Sequence, residues 1–155
     1  MHLKKNEAYE AAVKRCEGLL QGETDVIAAM STVVCELHHG LSHFDWTGFY
    51  RVVAPGVLKV GPYQGGHGCL TISFDRGVCG KCAREGKVQL VPDVRQLAYH
   101  IACSSSTLSE IVVPVFDSTG EVKAVLDVDS DELNAFDETD QRWLTQVCGW
   151  VGRLC

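Results

Sequence analysis

The sequence predicts an α+β fold, a central and mainly antiparallel sheet flanked by helices at the two ends of the chain. Three observations predict it. Residues 7–39 and the residues after Asp137 carry helical spacing and helix-ending signals. Between them, runs of aromatic and β-branched residues alternate at the period of a strand. Those runs are joined by tight turns, Pro55-Gly56 and Asp117-Ser118-Thr119-Gly120, which suit antiparallel neighbours.

The elements follow in order. Residues 7–20 are good helix formers, with Ala11, Val13, Cys16, Leu19 and Leu20 as the apolar positions and Gly22 as the end. Thr24 or Asp25 caps a second helix running to about His39, in which Ile27, Met30, Val34 and Leu37 recur at helical spacing. Residues 44–53 (FDWTGFYRVV) read as a strand with Phe44, Trp46, Gly48, Tyr50 and Val52 on one face. Residues 57–63 complete a hairpin. A strand over 69–74, a short helix over 77–86 and a short strand over 88–91 come next. From Pro92 to Ser109 there is little regular pattern, and a loop of that length in a compact domain is commonly functional. Strands over 110–116 and 121–129 follow. Asp137 or Thr139 caps a final helix that turns Trp143, Val147, Trp150, Val151 and Leu154 toward a core.

Bulk composition bounds the function. The chain has 155 residues, 46% of them hydrophobic, enough for the core of one domain spanning 1–155. A net charge of −6 with only short basic clusters argues against a nucleic-acid surface. No apolar run approaches the roughly 20 residues that cross a bilayer, so no membrane partner is expected. The opening residues are polar and lack the apolar stretch of a secretory signal, which predicts a cytoplasmic setting. Eight cysteines in a reducing compartment are core residues, redox groups or ligands before they are a disulfide framework.

Chemistry concentrates in two places. Asp127 and Asp129 are two apart on a strand and share a face, with Val125, while Leu126 and Val128 point into core. Glu110 opens the neighbouring strand and can reach the same face. Three carboxylates crowded in a cleft raise one another's pKa, so at least one keeps a proton near neutrality and can act as a general acid. The bland alternative is a solvated acidic sheet edge. The second place is the set Cys69, Cys79 and Cys103. Cys103 sits on the long loop, where a thiol can meet a substrate and then a partner thiol; the alternative is a small buried hydrophobe. Cys69 and Cys79 flank Arg76, and Cys79 falls near the start of the short helix, both of which favour a thiolate. Cys79-Gly80-Lys81-Cys82 is also a CxxC pair, half of a zinc site if His67, His100, Cys69 or Cys103 completes it. Trp46 and Tyr50 share a strand face and can wall an apolar group.

Taken together, FDWTGFY (44–50), LKVGPYQG (58–65), RGVCG (76–80), LVPDV (90–94), HIAC (100–103), SEIVVPV (109–115) and AVLDVDS (124–130) resemble the free methionine-(R)-sulfoxide reductases, single GAF domains. The resemblance extends over about residues 7–150. It implies a GAF sheet flanked by helices, and free methionine (R)-sulfoxide as substrate. It maps the family's three cysteines onto Cys69, Cys79 and Cys103, its acidic ligands onto Glu110, Asp127 and Asp129, and its aromatic wall onto Trp46. On that mapping the Cys103 thiolate attacks the sulfoxide sulfur and the acids hold the oxygen and deliver the proton. Cys69, or else Cys79, then condenses with the resulting sulfenic acid. Backbone N–H groups of the serine-rich loop hold the substrate carboxylate. Thioredoxin restores the dithiol, no metal or organic cofactor is required, and pairing through terminal helices makes a homodimer. The chain departs from the family pattern at Asp45, Ser104 and Leu108, and Cys82 is an addition to it. The rival expectations are a small-molecule-sensing GAF module without chemistry and a structural zinc protein built on the CxxC.

Overall fold

The structure, a computed structural model, describes residues 2–100 and 103–155. Ile101 and Ala102 of the HIAC motif therefore lie outside the described residues. Four helices, α1 (His2–Leu19), α2 (Val26–Gly40), α3 (Gly77–Glu85) and α4 (Glu138–Gly152), accompany six strands, β1 (Trp46–Ala54), β2 (Val57–Gln64), β3 (Thr71–Ser73), β4 (Gln89–Val91), β5 (Ser109–Phe116) and β6 (Val122–Ser130). The strands form one sheet in the order β3-β2-β1-β6-β5-β4, and every neighbouring pair is antiparallel. The predicted α+β class with a central antiparallel sheet between terminal helices is what the chain adopts.

The period-two alternation of β5 and β6 divides the molecule into two layers. Ile111, Val113, Val115, Ala124, Leu126 and Val128 face α1, α2 and α4 and build the larger core with Met30, Val34, Leu37, Leu144 and Val147. Val112 and Val125 face the other way and pack with Trp46, Tyr50, Ile72, Val78 and Cys82 under α3. Local signals set the helix ends. The Asp25 carboxylate accepts from Ala28 N at the start of α2, and Asp137 and Asp140 form a reciprocal capping box on α4. Helix α3 stops at Gly86, whose left-handed φ of 63° suits glycine. Gly80 lets α3 press onto strand β3: a Cβ there would stand 2.8 Å from the Phe74 carbonyl oxygen.

Several expectations are corrected. Helix α1 begins at His2, because Lys5 bonds Ala135 O (2.9 Å), Asp137 (3.2 Å) and Asp140 (2.6 Å), tertiary contacts that periodicity does not register. Its buried face is Tyr9, Ala12, Val13 and Cys16, an i, i+3, i+4, i+7 stripe, whereas Ala11 and Leu19 are exposed. Phe44 does not share the face of Trp46. It precedes β1, where the chain is not yet extended, and packs in the helical core edge-on to Tyr9 and Phe136. The 69–74 strand is shorter than expected, Thr71–Ser73. The loop after β4 holds a 3-10 turn at Val94–Gln96, capped by Asp93. On α4, Val147 and Val151 are buried and Trp143 stacks on Tyr9 at 5.8 Å, while Trp150 and Leu154 are half-buried.

Candidate active site

The acid cluster is a direct product of strand register. Glu110 lies opposite Asp129 and Val112 opposite Asp127, so all three carboxyls emerge from one face of the β5–β6 pair. Helix α3 lies across that face and brings Cys79 onto it. The Cys79 sulfur and a carboxyl oxygen from each of Glu110 and Asp127 lie within 4.8 Å of one another. All three residues are buried, and Asp129 is half-buried.

Burial and mutual repulsion decide the protonation of this cluster. Desolvation, then the Asp129 charge, pushes Glu110 up to about 8. Asp127 is raised well above the usual carboxylate range by burial and by Glu110, and Asp129 by burial, Asp127 and Asp131. Glu110 Oε2 and Asp127 Oδ1 are buried with no hydrogen-bond partner, which is unusual for polar atoms held out of water. His100 Nε2 stands 3.5 Å from Glu110 Oε2, too far for a strong hydrogen bond. Cys79 behaves opposite to expectation. Burial, then the charges of Asp127, Glu110 and Asp129, raises its thiol well above the ordinary value, overriding both Arg76 and the helix N-terminus.

The cluster floors an inner cavity of about 30 Å³, room for a water or two, lined also by Trp46, Tyr50, His67, His100, Cys103 and Thr107. It continues outward into a cleft of about 430 Å³ between Trp46 and Ser104–Thr107, with Asp45, Asp129 and Asp131 at its rim. Trp46 forms the shared wall. Its ring stacks between Tyr50 (5.8 Å) and Tyr63 (5.4 Å), and its Nε1 donates to Gly66 O at 2.8 Å. Gly48 and Gly68 make room for it; a Cβ on Gly68 would stand 2.8 Å from the indole.

Cys103 and Cys69 are joined in a disulfide with Cα atoms 5.6 Å apart, so the long loop is tied to the segment between β2 and β3. Both residues are half-buried. The loop's two feet are fixed by backbone bonds, Val94 N to Leu108 O (2.9 Å) and Leu108 N to Ser130 O (2.8 Å). Lys81 sits 5.3 Å over the Tyr99 ring beside it.

The structure thus brings Trp46, Tyr50, Cys79, Cys103, Glu110, Asp127 and Asp129 around one cavity, with Cys69 bound to Cys103. The CxxC does not converge as half a zinc site. Cys69 and Cys103 are held by each other, and Cys82, i+3 on α3, packs in the core; among the described residues the close donor group contains Cys79 alone of the pair. Sequence reasoning overlooked Thr107 in the wall and Gly68 behind Trp46; it placed Gly48 on the face of Trp46 but not its role, which a glycine inside an aromatic strand signals.

A family model for the GAF domain matches residues 21–153. The chain is 45% identical to GAF domain-containing protein A of Dictyostelium discoideum, over 92% of this chain and 89% of that protein. It is 33% identical to the free methionine-R-sulfoxide reductase of Saccharomyces cerevisiae, over 99% of this chain and 89% of that one. Its fold superposes on the X-ray structure of the Neisseria meningitidis free methionine-R-sulfoxide reductase in complex with its substrate. The TM-score is 0.91 and the identity 36%, over 97% of this chain and 89% of that one.

Proposed function

The chain belongs to the GAF-domain family, and from that membership and its free methionine-R-sulfoxide reductase relatives we propose that it reduces free methionine (R)-sulfoxide to methionine with thiol electrons. The observation that carries this reading is the Cys69–Cys103 disulfide at the wall of a cavity floored by Glu110, Asp127 and Asp129, whose burial favours the proton-bearing form. A sulfoxide needs a nucleophile at sulfur and a proton at the departing oxygen, and this cavity offers both.

In the reduced protein the Cys103 thiolate attacks the sulfoxide sulfur. Glu110, Asp127 and Asp129 bind the oxygen and protonate it. The sulfur–oxygen bond breaks and the protonated oxygen leaves as water, so that Cys103 is bonded to the methionine sulfur as a thiosulfonium. Water then adds to the Cys103 sulfur, the sulfur–sulfur bond breaks, methionine leaves, and Cys103 is left as a sulfenic acid. The Cys69 thiol then attacks that sulfur, water departs, and the disulfide forms. Cys79 stays a protonated thiol that hydrogen-bonds Asp127 and keeps the carboxyl pair in place. Trp46 and Tyr50 wall the methyl end. The outer cleft holds the amino-acid end, its carboxylate toward the Ser104–Thr107 amides and its ammonium toward Asp129 and Asp131. This division favours a lone amino acid over a residue within a chain. A cytoplasmic dithiol of the thioredoxin class returns the disulfide to thiols by exchange.

The test is turnover of free R-sulfoxide, free S-sulfoxide and a sulfoxide peptide with dithiothreitol or thioredoxin as reductant. Only the free R form should be consumed, and Cys103→Ser should abolish its consumption. Cys69→Ser should retain a single reduction event and lose recycling. Full activity in Cys103→Ser, or sulfoxide binding without turnover in the wild-type chain, sinks the proposal.

A further inference from the structure

We infer that Cys79, Glu110 and Asp127 form a binding site for a thiophilic divalent cation, Zn²⁺, whose occupancy excludes the sulfoxide from the cavity. The Cys79 sulfur and one oxygen from each carboxyl already lie within 4.8 Å of one another on the cavity floor. Donors held at about 2.0–2.3 Å by one tetrahedral zinc stand about 3.5 Å apart, so small side-chain rotations complete the shell. The independent observation is the pair of orphaned oxygens. Glu110 Oε2 and Asp127 Oδ1 have no donor, in residues only 5% exposed. A buried oxygen without a partner is costly to leave, and a dication satisfies two at once while cancelling their mutual repulsion.

The donor set selects the ion. One thiolate with two carboxylates suits zinc or cobalt, whereas magnesium and calcium take oxygen alone. Three protein ligands leave a fourth position open toward the cavity, on the side lined by His100. The ion seated there occupies the place that the proposed mechanism gives to the sulfoxide oxygen. The site therefore makes the cation a reversible inhibitor that competes with substrate, and only this competitive consequence rests on the function proposed above. The site is also distinct from the expected zinc site, because neither Cys82 nor Cys69 takes part.

The experiment uses the full chain in its disulfide form without added thiol, so that among the described residues Cys79 is the one free thiol facing the cavity. Co²⁺ is titrated and followed by its thiolate charge-transfer absorption, and Zn²⁺ by equilibrium dialysis. One tight ion per chain is expected, with affinity lowered at least about tenfold in Cys79→Ser and, as a second and near-isosteric variant, in Glu110→Gln. Cys35→Ser and Cys155→Ser, which alter exposed or half-buried thiols elsewhere, should leave the affinity unchanged. Free methionine R-sulfoxide should displace the cobalt. Binding that survives both Cys79→Ser and Glu110→Gln, or no binding at all, overturns the site. In a chain that does turn over the sulfoxide, cobalt and sulfoxide bound together overturn the competition. A chain that binds cobalt through Cys79 and Glu110 but never reduces the sulfoxide would refute the proposed function and leave the metal site standing.

Discussion

Reducing the Cys69–Cys103 disulfide should cost the fold a measurable and calculable amount. The bond closes a loop of 34 residues that contains β3, α3 and β4. Chain-entropy reasoning assigns that closure about 13 cal/mol/K in the denatured state, or about 3.8 kcal/mol at 25 °C. For a chain of this size each kcal/mol moves the thermal midpoint by about 2–4 °C, so reduction should lower it by about 8–15 °C. The β4–β5 pairing and the backbone bonds at Val94 and Leu108 do not involve the disulfide, so the reduced protein should stay folded. Scanning calorimetry with and without a non-thiol reductant measures the shift, and Cys69→Ser supplies the control, since it should sit near the reduced midpoint under both conditions. A shift under about 2 °C would refute the loop-closure argument. A redox-dependent shift that persists in Cys69→Ser would move the partnership to Cys79.

Further outcomes follow from the titrating groups. Glu110 must hold its proton to deliver it, so single-turnover sulfoxide reduction should fall as pH rises through about 8. Because its folded value lies above the unfolded 4.5, Glu110 also stabilises the protein less and less as pH climbs from about 4.5 to 8. Asp129→Asn removes the charge that helps raise Glu110 and should move the alkaline limb to lower pH; an unmoved limb would rule out Glu110 as the proton donor. Asp140 is the opposite case. Burial works against its charge, but hydrogen bonds from His43 (2.8 Å), Lys5 (2.6 Å) and Tyr9 (2.7 Å) hold its carboxyl well below the usual range. Its contribution is therefore present above the unfolded value of 3.8 and lost as pH falls below it. Asp140→Asn should cost about 3 kcal/mol in urea unfolding at pH 7 and flatten the acid limb; a loss below about 0.5 kcal/mol would show that α1 is not anchored there.

Much of this architecture is legible in the chain because it is local. Asp25, Asp137 and Gly86 mark helix ends through backbone chemistry that needs no tertiary context. The two-residue spacing of Asp127 and Asp129 places both carboxyls on one face whatever surrounds the strand. Other features were beyond it because they depend on what arrives from elsewhere. Phe44 lies two residues before β1 and answers to Tyr9 and Phe136, far off in sequence. The N-terminal turns of α1 exist because Lys5 finds a buried carboxylate beyond residue 135.

Residue order alone determined the sheet, its flanking helices and the identity of the groups that could do chemistry. Only the tertiary structure decided their state. A thiol next to an arginine and a helix start reads as acidic, yet α3 buries Cys79 against two carboxyls, and desolvation with like-charge repulsion outweighs both attractions. Likewise the choice of Cys69 as the partner of Cys103 is a matter of a 5.6 Å approach between segments 34 residues apart, a distance that spacing along the chain does not encode.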